Sequence, residues 1–370
     1  MNLHCVHAVP ITMNDVETGP TEELDTRTVD GGWSHAQREF LTAAQACDGR
    51  VGPLLEVLER LEPAHLASQP GAGGTLGRFK FLAATAAADV TAARVLEPHL
   101  DAVAILAENR GPDGDTGVGQ TWGVFAAEGP SSTLVARQTG NAWTLSGVKP
   151  WCSLGGRLSH ALVTARTGGK SGLFRVDLRQ DAVRSESVPW VARGLADVES
   201  GPLVMDEAEA TPVGAPGWYL ERSGFRWGGI GVAACWWGGC APLFAEVVAK
   251  STRAEPNPLV AAQIGRTYRA LESARALLEQ SAADIDRSQT RAIDDSDHMA
   301  VLAHSVRGAV ADALDQTLAA TRDILGPAAL ALNESTARRF ADLEIYASQY
   351  HRGRDDASLS AHLKSVGTWW

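Results

Sequence analysis

The 370-residue sequence predicts an α+β protein of several domains, in which a helical region, a β-rich region and a second helical region follow one another. Ala-rich helical segments fill residues 34–118, and longer segments of helical periodicity fill residues 218–370. Between them, residues 119–217 hold six short runs typical of β-strands without helical spacers, the pattern of an antiparallel barrel or sandwich. We therefore expect three domains with these bounds, preceded by a flexible leader at residues 1–33.

Composition limits the class of protein. The chain carries 33 Lys and Arg against 44 Asp and Glu, a net charge of −11 at pH 7. An acidic chain without a basic stripe is not expected to bind nucleic acid or an anionic membrane surface. The five cysteines form no CxxC pair, no metal-ligand spacing occurs, and neither a signal peptide nor an apolar run of about 20 residues is present. These features predict a cytoplasmic protein.

The first helical region contains the segments HAQREFLTAAQA and VGPLLEVLERL, a Gly-rich break at residues 70–74 and a long Ala-rich stretch. Alanine has the highest helix propensity, and Pro98 is expected to mark a boundary or a kink in that stretch.

Turn signals separate the six strand-like runs, which read WGVFAA, STLVARQ, AWTLSG, HALVTAR, GLFRVDL and GPLVMDE. The motif GGKS at residues 168–171 resembles the end of a phosphate-binding loop. Thr164 stands where that motif needs a glycine, and the segment joins two strands, so we interpret it as a hairpin turn.

Three long helices are predicted in the last region. The first covers residues 259–286, where apolar residues repeat every seven positions except at Arg275. The second covers residues 297–325 and ends at Gly326-Pro327, and the third begins near Asn333. The segment GIGVAA at residues 229–234 fits a loosened dinucleotide-binding fingerprint but follows no convincing strand. We interpret its small residues as a surface that lets helices approach closely.

The segment from residue 122 to residue 165 resembles the middle domain of acyl-CoA dehydrogenases. That family has Thr-Glu-Pro, Gly-Ser-Asp and Asn-Gly-x-Lys-x-Trp-Ile-Thr in this order, and the corresponding segments here read AEG (127–129), SST (131–133) and SGVKPWCS (146–153). Weaker matches extend the resemblance over about residues 36–362, including Arg339, Asp342 and Tyr346, which echo an Arg-Asp-Ala motif. The resemblance implies the acyl-CoA dehydrogenase fold, with a C-terminal four-helix bundle.

The resemblance also implies FAD, bound between the β-domain and the bundle and across the subunit interface of a homodimer or homotetramer. A flat aromatic side chain packs on the flavin ring and a hydroxyl at its edge favours the reduced form, roles that match Trp151 and Ser153. The candidate FAD contacts are Ala127, Ser132, Trp151, Ser153 and, toward the cofactor of the partner subunit, Arg253 and Gly326.

The reaction implied is oxidation of the α,β C–C bond of an acyl thioester, with an electron-accepting flavoprotein or oxygen as the acceptor. The family's catalytic Glu falls here at Tyr350 or His351, and its alternative location, near residues 226–229, holds no carboxylate either. His351 could act as a base at neutral pH. Two alternatives stay open: a flavin-dependent monooxygenase on the same fold, and a non-catalytic flavin-binding or dimerising relative.

Overall fold

The computed structural model describes residues 32–110, 116–129, 133–253, 257–290 and 296–366. Almost all of the predicted leader therefore lies outside the described residues. The first helical region contains α1 (His35–Ala46), α2 (Gly52–Arg60), a 3₁₀ turn (Pro63–His65), α3 (Thr75–Ala88) and α4 (Val90–Arg110).

The break in the Ala-rich stretch falls at Asp89, and Pro98 lies inside α4 instead of at its boundary. Asp89 has an extended backbone, and its carboxylate accepts a hydrogen bond from the Ala92 N–H at 3.2 Å, which caps the new helix.

Seven strands follow: β1 (Trp122–Phe125), β2 (Val135–Thr139), β3 (Ala142–Ser153), β4 (His160–Thr167), β5 (Lys170–Asp177), β6 (Val183–Ser185) and β7 (Ser200–Val213). The pairings β4–β2–β3–β7–β5 return to β4, so the sheet closes into a barrel. The expected antiparallel order holds for most pairs, but β1 and β2 both run parallel to β4. The short β6 was not predicted, and β3 continues through the segment KPWCS.

The GGKS segment forms the hairpin turn between β4 and β5. Gly168 and Gly169 have φ values of 54° and 79°, as a tight two-residue hairpin requires. The hairpin interpretation is therefore confirmed.

The last region contains α5 (Trp218–Glu221), α6 (Gly224–Ser251), α7 (Pro258–Thr290), α8 (Ser296–Ala320), a π-helical turn (Thr321–Leu325), α9 (Gly326–Leu332), α10 (Glu334–Ala347) and α11 (Arg352–Val366). Gly326 has φ 75° where the α8 segment ends, as predicted. The Asn333 side chain accepts from the Thr336 N–H and caps α10, which agrees with the predicted start.

The helix α6 lies at the centre of the helical region and packs against α3, α4, α8 and α10. Within the described ranges it is the one helix whose length and composition would allow it to cross a membrane, yet more than half of that apolar stretch is buried inside the protein, as in a core helix. Its glycines permit this packing: a Cβ at Gly238 would lie 2.1 Å from the Ala83 carbonyl oxygen, and one at Gly228 would lie 2.8 Å from an Asp101 carboxylate oxygen.

Candidate functional site

A bulge near the end of β3 turns the side chain of Trp151 out of the barrel. Lys149 pairs with Leu203 and Cys152 pairs with Gly201, so β3 carries one extra residue between these pairs. Trp151 has φ 59°, a left-handed conformation that is rare for a bulky residue and marks a constrained position. The residue is 64% exposed. The barrel therefore presents a flat aromatic ring that no other described side chain covers fully.

The buried side chain of Lys149 fixes the strand directly before Trp151. Its ammonium donates to Thr164 Oγ1 at 2.7 Å and lies 3.4 Å from a carboxylate oxygen of Glu128. Burial lowers the pKa of Lys149, and the neighbouring Glu128 opposes that shift. The ion pair holds the segment after β1 against β3, so that the exposed Ala127 lies in the same part of the barrel as Trp151. Ser132 lies outside the described residues.

Ser153 lies at the end of β3 between two polar partners. Its Oγ is 2.8 Å from Ser200 Oγ, and it accepts a hydrogen bond from Arg94 Nη2 at 3.0 Å. Arg94 belongs to α4, so this contact joins the barrel to the first helical region. The arrangement places a positive charge next to the hydroxyl that the sequence predicts to lie at the edge of a flavin.

A series of cationic and aromatic side chains connects Arg94 with Tyr350, one of the two predicted catalytic residues. The Arg94 guanidinium lies 5.7 Å from the centre of the Tyr346 ring, and Tyr346 meets Trp236 edge-on at 6.2 Å. Arg307 lies over both Trp236 and Tyr350, at 5.1 and 5.9 Å. These distances are those of cation–π and edge-to-face contacts. Tyr350 and Ser153 therefore border one continuous cluster.

Tyr350 and His351 occupy different environments. Tyr350 is partly buried, and its hydroxyl donates to Asp356 Oδ1 at 3.2 Å. Burial, with Asp356 nearby, raises the pKa of Tyr350 to about 12, so the phenol stays protonated at neutral pH. His351 is exposed, and its carbonyl oxygen accepts from the Asp355 N–H at the start of α11. The structure joins Tyr350 to the cluster and leaves the His351 side chain at the surface.

Glu97 is a buried carboxyl that sequence reasoning missed. It is 9% exposed, lies one turn from Arg94 on α4 and is surrounded by the charges of Arg78, Arg94 and Arg307. Burial raises the pKa of Glu97 to about 7, and the neighbouring Asp101 adds to the shift. A carboxyl with this pKa can accept or release a proton near neutral pH. The available signal was a carboxylate one helical turn after Arg94 in the Ala- and Leu-rich sequence of α4.

Arg253 and Gly326 lie together at another end of the helical region. The Lys250 ammonium, near the end of α6, donates to the Leu325 carbonyl at 2.8 Å, which brings the exposed Arg253 and the Gly326 turn to the same side. Among the described residues, neither Arg253 nor Gly326 forms a hydrogen bond or ion pair with Trp151 or Ser153. The role predicted for them requires the cofactor of a second subunit.

Comparison with known proteins defines the class of fold. No family model and no curated protein matches the sequence. KijD3 in complex with FMN and dTDP-3-amino-2,3,6-trideoxy-4-keto-3-methyl-D-glucose is similar with a TM-score of 0.73 at 17% identity, over 92% of this chain and 96% of that chain. FMN-bound TdsC from Paenibacillus sp. A11-2 gives 0.75 at 13% identity, over 88% and 95%. The chain therefore has the fold of these flavin-bound proteins.

Butyryl-CoA dehydrogenase from Megasphaera elsdenii is also similar, with a TM-score of 0.68 at 17% identity over 91% of this chain and 99% of that chain. The acyl-CoA dehydrogenase fold expected from the motifs is thereby confirmed.

Proposed function

We propose that this protein is a flavin-dependent oxidoreductase whose flavin ring packs against Trp151 with its edge at Ser153. The observation that carries the proposal is the exposed indole of Trp151, held in a constrained conformation beside a hydroxyl that Arg94 orients. Two proteins of the same fold support it, since KijD3 and TdsC have structures with bound FMN. The motif resemblance predicts FAD, and FMN is the alternative.

The residues present suit a flavin in shape and in charge. The open indole face offers a flat apolar surface for a planar ring. When bound, a flavin accepts two electrons and gains negative charge on its ring system. Ser153 can donate a hydrogen bond at the ring edge, and the Arg94 guanidinium stabilises negative charge that develops there. Both effects favour the reduced cofactor.

The charged surroundings of Ser153 favour a polar substrate over an apolar acyl chain. Arg94 and Arg307 lie in the cluster between Ser153 and Tyr350, and their guanidinium groups can donate hydrogen bonds to a polar substrate but not to an apolar chain. One protein of the same fold, TdsC, is a dibenzothiophene monooxygenase. We therefore propose oxygenation of a polar substrate, with oxygen as the electron acceptor and reduced flavin as the reductant.

Oxidation of an acyl thioester is the second candidate, and Glu97 favours it. The reaction needs a base for the α-proton, and neither the protonated Tyr350 phenol nor the exposed His351 side chain is well placed to be that base. Glu97, with a pKa of about 7, has the required chemistry. In this case the base would lie on α4.

Two measurements test the proposal. Purified protein should show flavin absorbance or take up FAD or FMN in titration, and release of the flavin by denaturation identifies which one; no uptake of either refutes the flavin proposal. Anaerobic mixing with a panel of acyl-CoAs then separates the reactions. Loss of flavin absorbance supports thioester oxidation, whereas oxygen-dependent product formation from reduced flavin without such bleaching supports oxygenation.

A further inference from the structure

The guanidinium of Arg307, on α8, is held in place while most of its N–H donors stay free. Its Cζ lies 5.1 Å from the centre of the Trp236 ring and 5.9 Å from that of the Tyr350 ring, and its Nη1 donates to the Gly229 carbonyl oxygen at 2.9 Å. A guanidinium has five N–H donors. In the part of the chain that the structure describes, the other donors of Arg307 have no hydrogen-bond partner.

The free donors are open to a ligand. Arg307 retains accessible surface, and none of its unpaired nitrogens is fully buried. Two glycines leave the space that the polar groups occupy: a Cβ at Gly229 would lie 3.2 Å from Arg307 Nη1, and one at Gly308 would lie 3.1 Å from the Tyr350 hydroxyl. The site therefore offers a fixed, accessible guanidinium beside a partly exposed aromatic ring.

The described carboxyls near Arg307 do not pair with it. Asp355 and Glu97 act on Arg307 only from a distance, and burial lowers the pKa of Arg307. Asp355 lies 3.5 Å from Arg354 Nε instead. Glu97, whose pKa burial raises to about 7, keeps its proton in a large fraction of molecules near neutral pH. A partly buried guanidinium without an ion pair is a favourable site for an anion from outside the chain.

We propose that the substrate of this protein carries a carboxylate and that Arg307 binds it. The planar edge of a guanidinium matches the two oxygens of a carboxylate, which can accept two parallel hydrogen bonds. A neutral amide would accept weaker bonds, and an ammonium group would be repelled. The word substrate rests on the proposed function; binding of a carboxylate at Arg307 does not.

The position of Arg307 also orients such a substrate. Arg94, which donates to Ser153 at the proposed flavin edge, lies at one end of the cluster, and Arg307 lies at the other, beside Tyr350. The buried rings of Trp236 and Tyr346 lie between the two guanidinium groups. A carboxylate at Arg307 therefore directs the rest of the molecule toward Ser153.

The test uses the purified full-length protein as isolated and three probes that share a phenyl ring: benzoate, benzamide and benzylamine. Calorimetric titration at pH 7 should show benzoate binding at least about tenfold more tightly than benzamide, as a hydrogen bond between charged groups implies, and no binding of benzylamine. Equal affinity for benzoate and benzamide, tighter binding of benzylamine, or no binding of benzoate at millimolar concentration overturns the proposal.

Matched variants and a heavy-atom probe locate the binding. Arg307→Gln should lower benzoate affinity at least about tenfold and leave benzamide affinity unchanged, whereas Arg137→Gln, which removes an exposed guanidinium on β2, should change neither. Unchanged benzoate affinity in Arg307→Gln refutes the site. Crystals of the native chain with 4-bromobenzoate give an answer that does not depend on the folding of a variant: the anomalous signal of bromine should place the carboxylate beside Arg307, and a position elsewhere overturns the proposal.

Flavin uptake, measured on the same samples, separates this proposal from the proposed function. Normal flavin uptake without the preference for benzoate refutes the carboxylate site alone. Benzoate binding at Arg307 without flavin uptake refutes the flavin proposal alone.

Discussion

Replacing Glu97 by glutamine should stabilise the protein at pH 8 far more than at pH 5. The carboxyl is buried, and its pKa rises from 4.5 to about 7 in the folded protein. Between these two values the unfolded chain has lost the proton while the folded chain still holds it. The folded state of the native chain therefore loses stability as the pH rises through this window.

The magnitude follows from the size of the shift. One pKa unit corresponds to about 1.4 kcal/mol. The raised pKa of Glu97 therefore makes the free energy of unfolding of the native chain about 2 to 3 kcal/mol smaller at pH 8 than at pH 5. Glutamine resembles the protonated carboxyl in shape and cannot ionise. The variant should remove that pH-dependent loss.

The assay is urea denaturation of both chains at pH 5 and pH 8, with the exposed Glu56→Gln as the control, which should show no comparable pH dependence. If Glu97→Gln changes the free energy of unfolding equally at both pH values, or destabilises the protein more at pH 8, Glu97 is not a buried carboxyl of raised pKa. Its assignment as a proton-transfer group would then fail as well.

Two further predictions concern packing and assembly. Gly238→Ala should destabilise the protein by about 1 to 3 kcal/mol, because the new Cβ would lie 2.1 Å from the Ala83 carbonyl oxygen. Gly265→Ala in α7, where a Cβ meets nothing within 4 Å, should stabilise the protein by about 0.5 to 1 kcal/mol. Thermal or urea unfolding of the two variants checks both predictions, and equal effects would contradict the close approach of α3 and α6. Light scattering should give the mass of a dimer or tetramer of the 39.1 kDa chain, as predicted from the resemblance, and a monomer at micromolar concentration would contradict the roles proposed for Arg253 and Gly326.

Local signals in the sequence predicted much of the fold. Gly326-Pro327 marks the end of the α8 segment and Asn333 the start of α10, because these residues act on the backbone next to them. The break between α3 and α4 at Asp89 was not predicted, because no Gly or Pro marks it in the sequence. The Asp89 carboxylate, which caps the start of α4, produces the break instead. The parallel pairing of β1 with β4 joins segments about 40 residues apart, and turn residues specify only neighbouring strands.

The candidate site was predictable only where one motif carries it. Trp151 and Ser153 are two residues apart in a recognisable segment, so the sequence indicated them together. Arg94, Glu97 and Arg307 converge from α4 and α8, more than 200 residues apart, and no spacing in the sequence reports that approach. The outward turn of Trp151 depends on a bulge, whose position follows from the pairing of β3 with β7.

The most direct test of the flavin site is the affinity for FAD of the native chain, Trp151→Ala and His351→Ala, measured by titration with absorbance and fluorescence. Loss of the aromatic packing surface should weaken FAD binding roughly tenfold or more in Trp151→Ala, whereas His351→Ala, which removes an exposed side chain, should bind as the native chain does. Equal affinities in the two variants would contradict a flavin ring packed against Trp151.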